Sequence, residues 1–181
     1  MGSADTLRGM SMLNRRHFVA ALAAAPVIAK ARSAEPRVLN FNHLHTGEKL
    51  EVEYFGAGGY LPDALEAVNR LLRDFRTGDV APIDPALLDL LYALRQRTGA
   101  ERPFQIISGY RSPLTNRVLH ERSSGVATKS LHMSGQAIDI RVADVALPQL
   151  RDAALSLRRG GVGFYPGSNF VHVDTGRVRA W

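Results

Sequence analysis

Apolar residues recur at helical spacing in two segments of this chain. The first segment follows Pro62, a residue suited to a first helical turn, and stops at Gly78. The second opens with Asp84 as N-cap and Pro85 as first helical residue, and Gly99 ends it. The repeating positions are Leu61, Leu65, Val68, Leu72 and Phe75 in the first segment and Leu87, Leu88, Leu91 and Leu94 in the second. This pattern predicts two helices, each with one buried face.

Shorter apolar runs predict the rest of the fold. Residues 38–43 and 49–55 read as a strand hairpin with its turn at Thr46-Gly47. Further strands are predicted at 104–108, 136–142, 162–164 and 170–173, shorter helices at 114–121 and 148–158, and a polar, serine-rich loop at 122–129. These elements predict an α+β fold in one domain, with a small antiparallel sheet and helices packed against it.

Polar side chains interrupt two of the predicted strands. Asp139 lies between Ile138 and Ile140, so alternation puts the isoleucines in the core and the carboxylate on the opposite face. In the last strand, His172 and Asp174 share the face opposite their valine neighbours. A carboxylate among buried isoleucines has to face a polar cavity or a cation.

His132 completes a candidate metal site. It precedes Asp139 by seven residues, a spacing unlike the paired histidines of a zincin helix, but Gly135 allows a turn between them. Two imidazoles and a carboxylate suit a catalytic zinc ion, which keeps its fourth position for water. We therefore predict a Zn²⁺ site formed by His132, Asp139 and His172. The alternative is that each histidine caps a loop or satisfies a hydrogen bond in the core.

The other histidines outside the leader give weaker signals. His43 and His45 share one face of the first strand, but nothing directs that face towards the metal. We interpret both as turn and sheet residues, and His120 is equally weak as a ligand.

The N-terminal residues resemble an export signal. Arg15-Arg16 precedes an apolar run at 19–29 that is too short to span a bilayer, which is typical of a twin-arginine signal peptide. We expect cleavage after Ala31, with Ala34 as the alternative, so that residues 1–31 are removed and residues 32–181 form the mature domain. Export would place the domain in the periplasm without a stable membrane anchor. The competing interpretation is a buried N-terminal helix.

Composition narrows the function classes. The 181 residues carry a net charge of +6, and residues 1–31 contribute four basic and one acidic residue, which leaves +3 on the mature chain. This excess is too small and scattered to indicate nucleic-acid binding. The absence of cysteine excludes disulfides, thiol chemistry and a cysteine-ligated zinc site.

Ordered motifs carry a family resemblance. They are Ser-Gly-Tyr-Arg-Ser at 108–112, Ser-x-His-x-x-Gly-x-Ala-x-Asp at 130–139, and Gly-Val-Gly-Phe-Tyr-Pro at 161–166 before Val-His-Val-Asp at 171–174. From about Leu39 to Trp181 the chain resembles the zinc D-Ala-D-Ala carboxypeptidase family of metallopeptidase clan MD, and within it the twin-arginine-exported murein endopeptidases of the MepK/YcbK type. The resemblance implies a hedgehog/D-Ala-D-Ala peptidase-like fold and peptidoglycan stem peptides as the substrate.

The resemblance also implies roles for individual residues. Arg111 matches an arginine that reaches the substrate carbonyl or carboxylate, with a structural Arg-Asp pair as the alternative. Ser130 matches a substrate-contacting hydroxyl or else caps a loop, and Tyr110 is predicted to line the cleft with Tyr165. Many relatives place a carboxylate base three residues before the last histidine, but here that residue is Asn169.

An amide cannot take a proton, so the base has to come from elsewhere. Asp174 is the replacement candidate. Two alternatives remain open: Asp174 orients a ligand imidazole, or it binds the metal while His172 acts as the base.

Three functions compete at this stage. The leading prediction is an endopeptidase that hydrolyses a diaminopimelate-diaminopimelate or D-Ala-diaminopimelate cross-link. The second is a D,D- or L,D-carboxypeptidase that trims stem-peptide ends. The third is a binding module without turnover, which the amide at Asn169 favours.

Overall fold

The structure is a computed structural model that describes residues 35–122 and 125–181. The predicted leader and both candidate cleavage sites lie outside the described residues. The helices are α1 (Pro62–Leu71), α2 (Pro85–Thr98), α3 (Pro113–Arg122) and α4 (Leu147–Leu157), with short 3₁₀ turns at Leu131–Ser134 and Pro166–Ser168. The strands are β1 (Arg37–His43), β2 (Lys49–Gly56), β3 (Gly59–Tyr60), β4 (Phe104–Ser108), β5 (Ala137–Val142), β6 (Gly161–Tyr165), β7 (Phe170–Asp174) and β8 (Arg179–Ala180). Among these described helices, none has the length and apolar character to cross a membrane.

The eight strands of the described residues form one sheet in the order β3-β2-β1-β4-β5-β7-β6-β8. β1 and β2 form the predicted hairpin. β1 runs parallel to β4 and β6 parallel to β8, while the other neighbouring pairs are antiparallel. The predicted single-domain α+β class is confirmed, but the sheet is larger than expected and mixed. The parallel β1-β4 pair arises because α1 and α2 lie between these strands and allow a crossover.

One face of the sheet forms the core with the helices. Ile138 and Ile140 of β5 are fully buried there, as the alternation predicted, and the apolar stripe of α2 packs with them. Asp84 caps α2 as expected, since its carboxylate accepts a hydrogen bond from the Ala86 amide at 2.9 Å, and Gly99 ends the helix in the left-handed conformation. The opposite face carries Asp139 of β5 and His172 and Asp174 of β7.

The first helix is shorter than the periodicity predicted. It ends at Leu71, so Phe75 lies in a following turn. The buried Asp74 carboxylate accepts hydrogen bonds from the amides of Arg76 and Ser112, at 3.0 and 2.9 Å. A short acceptor that competes for backbone donors favours a turn over a continued helix. The same contact ties this turn to the segment that carries Arg111.

Candidate metal centre

Two neighbouring strands present the candidate ligands side by side. In the antiparallel register of β5 and β7, Asp139 pairs directly with His172. His132 approaches from the 3₁₀ turn at Leu131–Ser134, which ends at Gly135 with φ of 67°. A Cβ at Gly135 would lie 2.1 Å from the carbonyl oxygen of Pro82, so glycine is required there for space as well as for φ. This turn brings His132 back over the sheet.

The three ligand atoms form a compact, buried group. His132 Nε2 lies 3.2 Å from Asp139 Oδ1 and 3.2 Å from His172 Nδ1, and the latter two atoms are 2.8 Å apart. His132, Asp139 and His172 are only 1, 2 and 8% exposed. Among the described residues, this is the group of histidine and carboxylate side chains with the geometry to hold a metal ion. The structure thus brings together the three residues predicted as ligands.

A backbone carbonyl orients His132. Its Nδ1 donates a hydrogen bond to the Gly109 carbonyl at 2.7 Å, which leaves the Nε2 lone pair for the centre. Gly109 packs so closely on Leu72 that a Cβ would lie 2.6 Å from the Leu72 carbonyl oxygen. That oxygen accepts a hydrogen bond from the Tyr110 amide at 2.8 Å. The end of α1 therefore sets the position of the carbonyl that orients the ligand.

Asp174 contacts the other nitrogen of His172. Its Oδ2 accepts a hydrogen bond from His172 Nε2 at 3.0 Å, so the two ring nitrogens face different carboxylates. Asp174 is 0% exposed and also accepts from both Nη atoms of Arg179 and from the amides of Gly161 and Gly176. The Asp174 carboxylate therefore accepts five hydrogen bonds in all.

Arg111 lies on the other side of Asp139. Its Nη2 donates to Asp139 Oδ2, and its Nε donates to the Ser108 hydroxyl at 2.9 Å. The Arg-Asp pair considered from the sequence is therefore present, and the guanidinium also borders the cavity beside the ligands. Asp139 directs Oδ1 to the histidines and Oδ2 to Arg111, so its orientation is fixed.

The electrostatics favour ionised carboxylates beside neutral or positive groups. Burial alone would raise the pKa of Asp139, but His132, His172 and Arg111 hold it well below its usual range. Burial likewise opposes ionisation of Asp174, yet hydrogen bonds from His172 and Arg179 keep its pKa far below normal. Burial lowers the pKa of His132, whereas contacts with the two carboxylates outweigh burial and raise the pKa of His172. Because the carboxylates of Asp139 and Asp174 stay ionised, the site carries negative charge that favours binding of a cation.

A cavity of about 410 Å³ opens beside the ligand atoms. Ser130 borders it and also caps the 3₁₀ turn, since its hydroxyl accepts from the His132 amide at 3.4 Å. Both roles considered for Ser130 are therefore compatible with its position. Tyr165 lines the cavity as expected, but Tyr110 packs against the core instead. The lining is Arg111, Gly125, Val126, Ala127, Lys129, Ser130, Leu131, His132, Asp139, Tyr165, Ser168, Phe170, His172, Arg179 and Trp181.

The remaining polar candidates lie apart from the ligand group. Asn169, at the position of the relatives' base, has a left-handed backbone with φ of 55° and borders a different cavity. His43 is fully buried, and its Nδ1 accepts from backbone amides of the β1-β2 turn. His45 stacks on Phe75 at 4.1 Å, and His120 contacts the Val126 carbonyl at 2.6 Å.

Sequence reasoning missed two residues of the cavity wall, Arg179 and Trp181. Arg179 holds Asp174, and the Trp181 ring lies 5.3 Å from the His172 ring. Trp181 also donates a hydrogen bond to the Tyr165 hydroxyl at 2.7 Å. The sequence shows an arginine five residues after Asp174, which is a weak signal for an ion pair. The ion pair between Arg179 and Asp174 forms only when β8 pairs with β6.

A sequence profile of the family described as peptidoglycan L,D-endopeptidase MepK matches residues 31–181. The chain belongs to the MepK family. The MepK protein of Escherichia coli strain K12 is 48% identical over 162 residues, which cover 90% of this chain and 89% of the relative. The probable MepK of Haemophilus influenzae is 44% identical over 156 residues, or 86% of this chain and 84% of the relative. The resemblance to this peptidase family is therefore confirmed.

The donor set of this MepK family member fits a divalent metal ion. Neighbouring ligand atoms on a tetrahedral zinc ion, each about 2.0–2.1 Å from it, are separated by about 3.3 Å. The three separations here are 2.8, 3.2 and 3.2 Å. Each histidine also donates its other ring N–H to an oxygen, as metal-binding histidines commonly do.

Proposed function

We propose that the protein is a periplasmic zinc peptidase that hydrolyses peptide cross-links of peptidoglycan. The observation that carries the proposal is the oriented group of His132, Asp139 and His172 beside the 410 Å³ cavity, in a chain of the MepK family. Zinc bound by these residues would polarise the scissile carbonyl and make a water available as nucleophile.

The side chains around the metal have separate tasks in this proposal. Gly109 and Asp174 hold the two imidazoles in the tautomers that present a lone pair to the centre. Arg111 fixes Asp139 and directs positive charge into the cavity, where oxyanion charge develops during amide hydrolysis. Asp174 acts as a positioning residue and not as the general base, because five donors surround it and it is 0% exposed.

The bond we propose lies between two diaminopimelate residues. The relatives are named L,D-endopeptidases. In a diaminopimelate-diaminopimelate cross-link, the carbonyl comes from an L centre and the nitrogen from a D centre. In a D-Ala-diaminopimelate cross-link, both centres are D. The first bond therefore matches the stereochemistry in the relatives' name.

Product analysis tests this function against its alternatives. The metal-loaded full chain is incubated with dimers of each cross-link type and with uncross-linked tetra- and pentapeptides. The expected result is cleavage of the diaminopimelate-linked dimer to monomers, with uncross-linked peptides unchanged. Shortened monomers with intact dimers would establish a carboxypeptidase, and absence of any product with metal bound would favour a binding module.

We also propose that residues 1–31 are a twin-arginine signal peptide. The support is the Arg15-Arg16 pair before a short apolar run, together with a mature domain whose substrate lies outside the cytoplasm.

A further inference from the structure

The sheet face that carries the metal ligands continues past them as a second row of side chains. In the first row, Asp139 pairs with Ser108 on one side and His172 on the other. In the next row, Gln105 pairs with Arg141. Arg141 is two residues beyond Asp139 on β5, which corresponds to about 6.7 Å along a strand. Side chains two residues apart on a strand point to the same face of the sheet. Arg141 therefore shares the surface of the metal centre.

Two aromatic residues connect this row to the metal cavity. Phe170 and Tyr165 pair across β6 and β7, and their rings stack at 4.6 Å. Both line the metal cavity, and Phe170 and Arg141 each follow directly on the last β5-β7 pair, Ile140 with Val171. Arg141 and Gln105 line a second cavity of about 400 Å³. The surface thus runs from the ligands, past the aromatic pair, to the guanidinium.

The Arg141 guanidinium is oriented but not neutralised. Its Nε donates to Gln105 Oε1 at 2.7 Å, so the edge formed by the two Nη groups remains available to bind a ligand. No carboxylate among the described residues forms an ion pair with it. Arg111 and Arg179, by contrast, are both paired with buried carboxylates. A half-buried arginine held by an amide at a cavity wall is suited to an external anion.

We infer that Arg141, oriented by Gln105, is a carboxylate-binding subsite for the part of the substrate that extends away from the metal. The inference rests on the proposed function, because cross-linked stem peptides carry free carboxylates near the scissile amide. An extended peptide advances about 3.3–3.6 Å per residue, so a carboxylate about two residues from that amide reaches Arg141. The first turn of α4 borders the same cavity, and its partial positive charge favours the same ligand.

Steady-state kinetics of the full chain test the subsite with two substrates. One is the diaminopimelate-linked dimer with free carboxylates, and the other is the same dimer with carboxamides in their place. The variants are Arg141→Gln, Arg141→Lys, which keeps the charge without the planar fork, and Gln105→Ala. Arg70→Gln is the matched control, since Arg70 is an exposed residue of α1 paired with Glu66 and lines neither cavity.

The expected result is a rise in KM of about 10-fold for Arg141→Gln on the carboxylate dimer, with unchanged kcat, metal content and melting temperature. Arg141→Lys and Gln105→Ala should show smaller rises, and Arg70→Gln none. On the carboxamide dimer, the unaltered chain should already have the raised KM, and Arg141→Gln should add nothing to it.

Two outcomes overturn the inference separately from the proposed function. An unchanged KM in a folded Arg141→Gln, or an equal rise on both dimers, excludes carboxylate binding at Arg141 while cleavage itself persists. If the unaltered chain cleaves neither dimer, the proposed function fails and the subsite fails with it.

Discussion

Replacing Asp174 by Asn removes one charge from a buried carboxylate of the site with almost no change in volume. Oδ1 of Asp174 accepts from the amides of Gly161 and Gly176, and an Asn oxygen at that position keeps these bonds. The amide nitrogen then occupies the Oδ2 position, where it meets donors from His172 and Arg179. Donors would face donors, so His172 is driven to the tautomer that carries its proton on Nδ1.

That tautomer places a proton on the atom that faces the metal centre. Loss of such an orienting partner lowers metal affinity by about 10- to 100-fold. The metal-free protein should also lose about 3 kcal/mol of its free energy of unfolding, the lower end for breaking a buried ion pair, because Arg179 is 29% exposed.

Competition with a chelating dye measures the metal affinity of Asp174→Asn, and denaturant unfolding of the metal-free protein measures its stability. Asp152→Asn is the control, because Asp152 forms an exposed pair with Arg151. If metal affinity is unchanged while turnover falls by two to four orders of magnitude, Asp174 is a general base and the positioning role is refuted.

Three further predictions concern pH, Arg111 and the leader. Asp139 and Asp174 have lowered folded-state pKa values, so their stabilisation of the metal-free protein is complete above about pH 4 and is lost as pH falls below it; acid titration of the unfolding free energy should show this decline. Arg111→Ala should reduce kcat by about 10²- to 10³-fold with the metal retained, whereas a loss confined to metal affinity would leave it only as the partner of Asp139. Arg15→Lys with Arg16→Lys should leave unprocessed precursor in the cytoplasm by immunoblot of cell fractions, and normal processing in a strain without the twin-arginine translocase would reject the signal.

Two of the three ligands, Asp139 and His172, could be predicted from local alternation, whereas His132 lies in a 3₁₀ turn to which alternation does not apply. Asp139 between two isoleucines, and His172 two residues before Asp174, define one sheet face without any knowledge of the partner strands. The register that places Asp139 directly opposite His172 is seen only in the structure.

Features that depend on distant contacts could not be predicted in the same way. The end of α1 is set by Asp74, whose carboxylate bonds Ser112, 38 residues away in the chain. Tyr110 lies two residues before Ser112 and packs against the core, although its motif suggested the cleft. Arg179 meets Asp174 only once β8 has joined the sheet. Periodicity carries no information on such pairings.

The central claim is that His132, Asp139 and His172 hold a metal ion that the hydrolysis requires. The most direct measurement removes metal from the full chain with a chelator and then restores zinc stepwise while cleavage of the diaminopimelate-linked dimer is followed. We predict no cleavage by the metal-free protein, and full recovery at one zinc ion per chain in the unaltered protein but not in His132→Ala. Cleavage at an undiminished rate by the metal-free protein, or full recovery in His132→Ala, would contradict the claim.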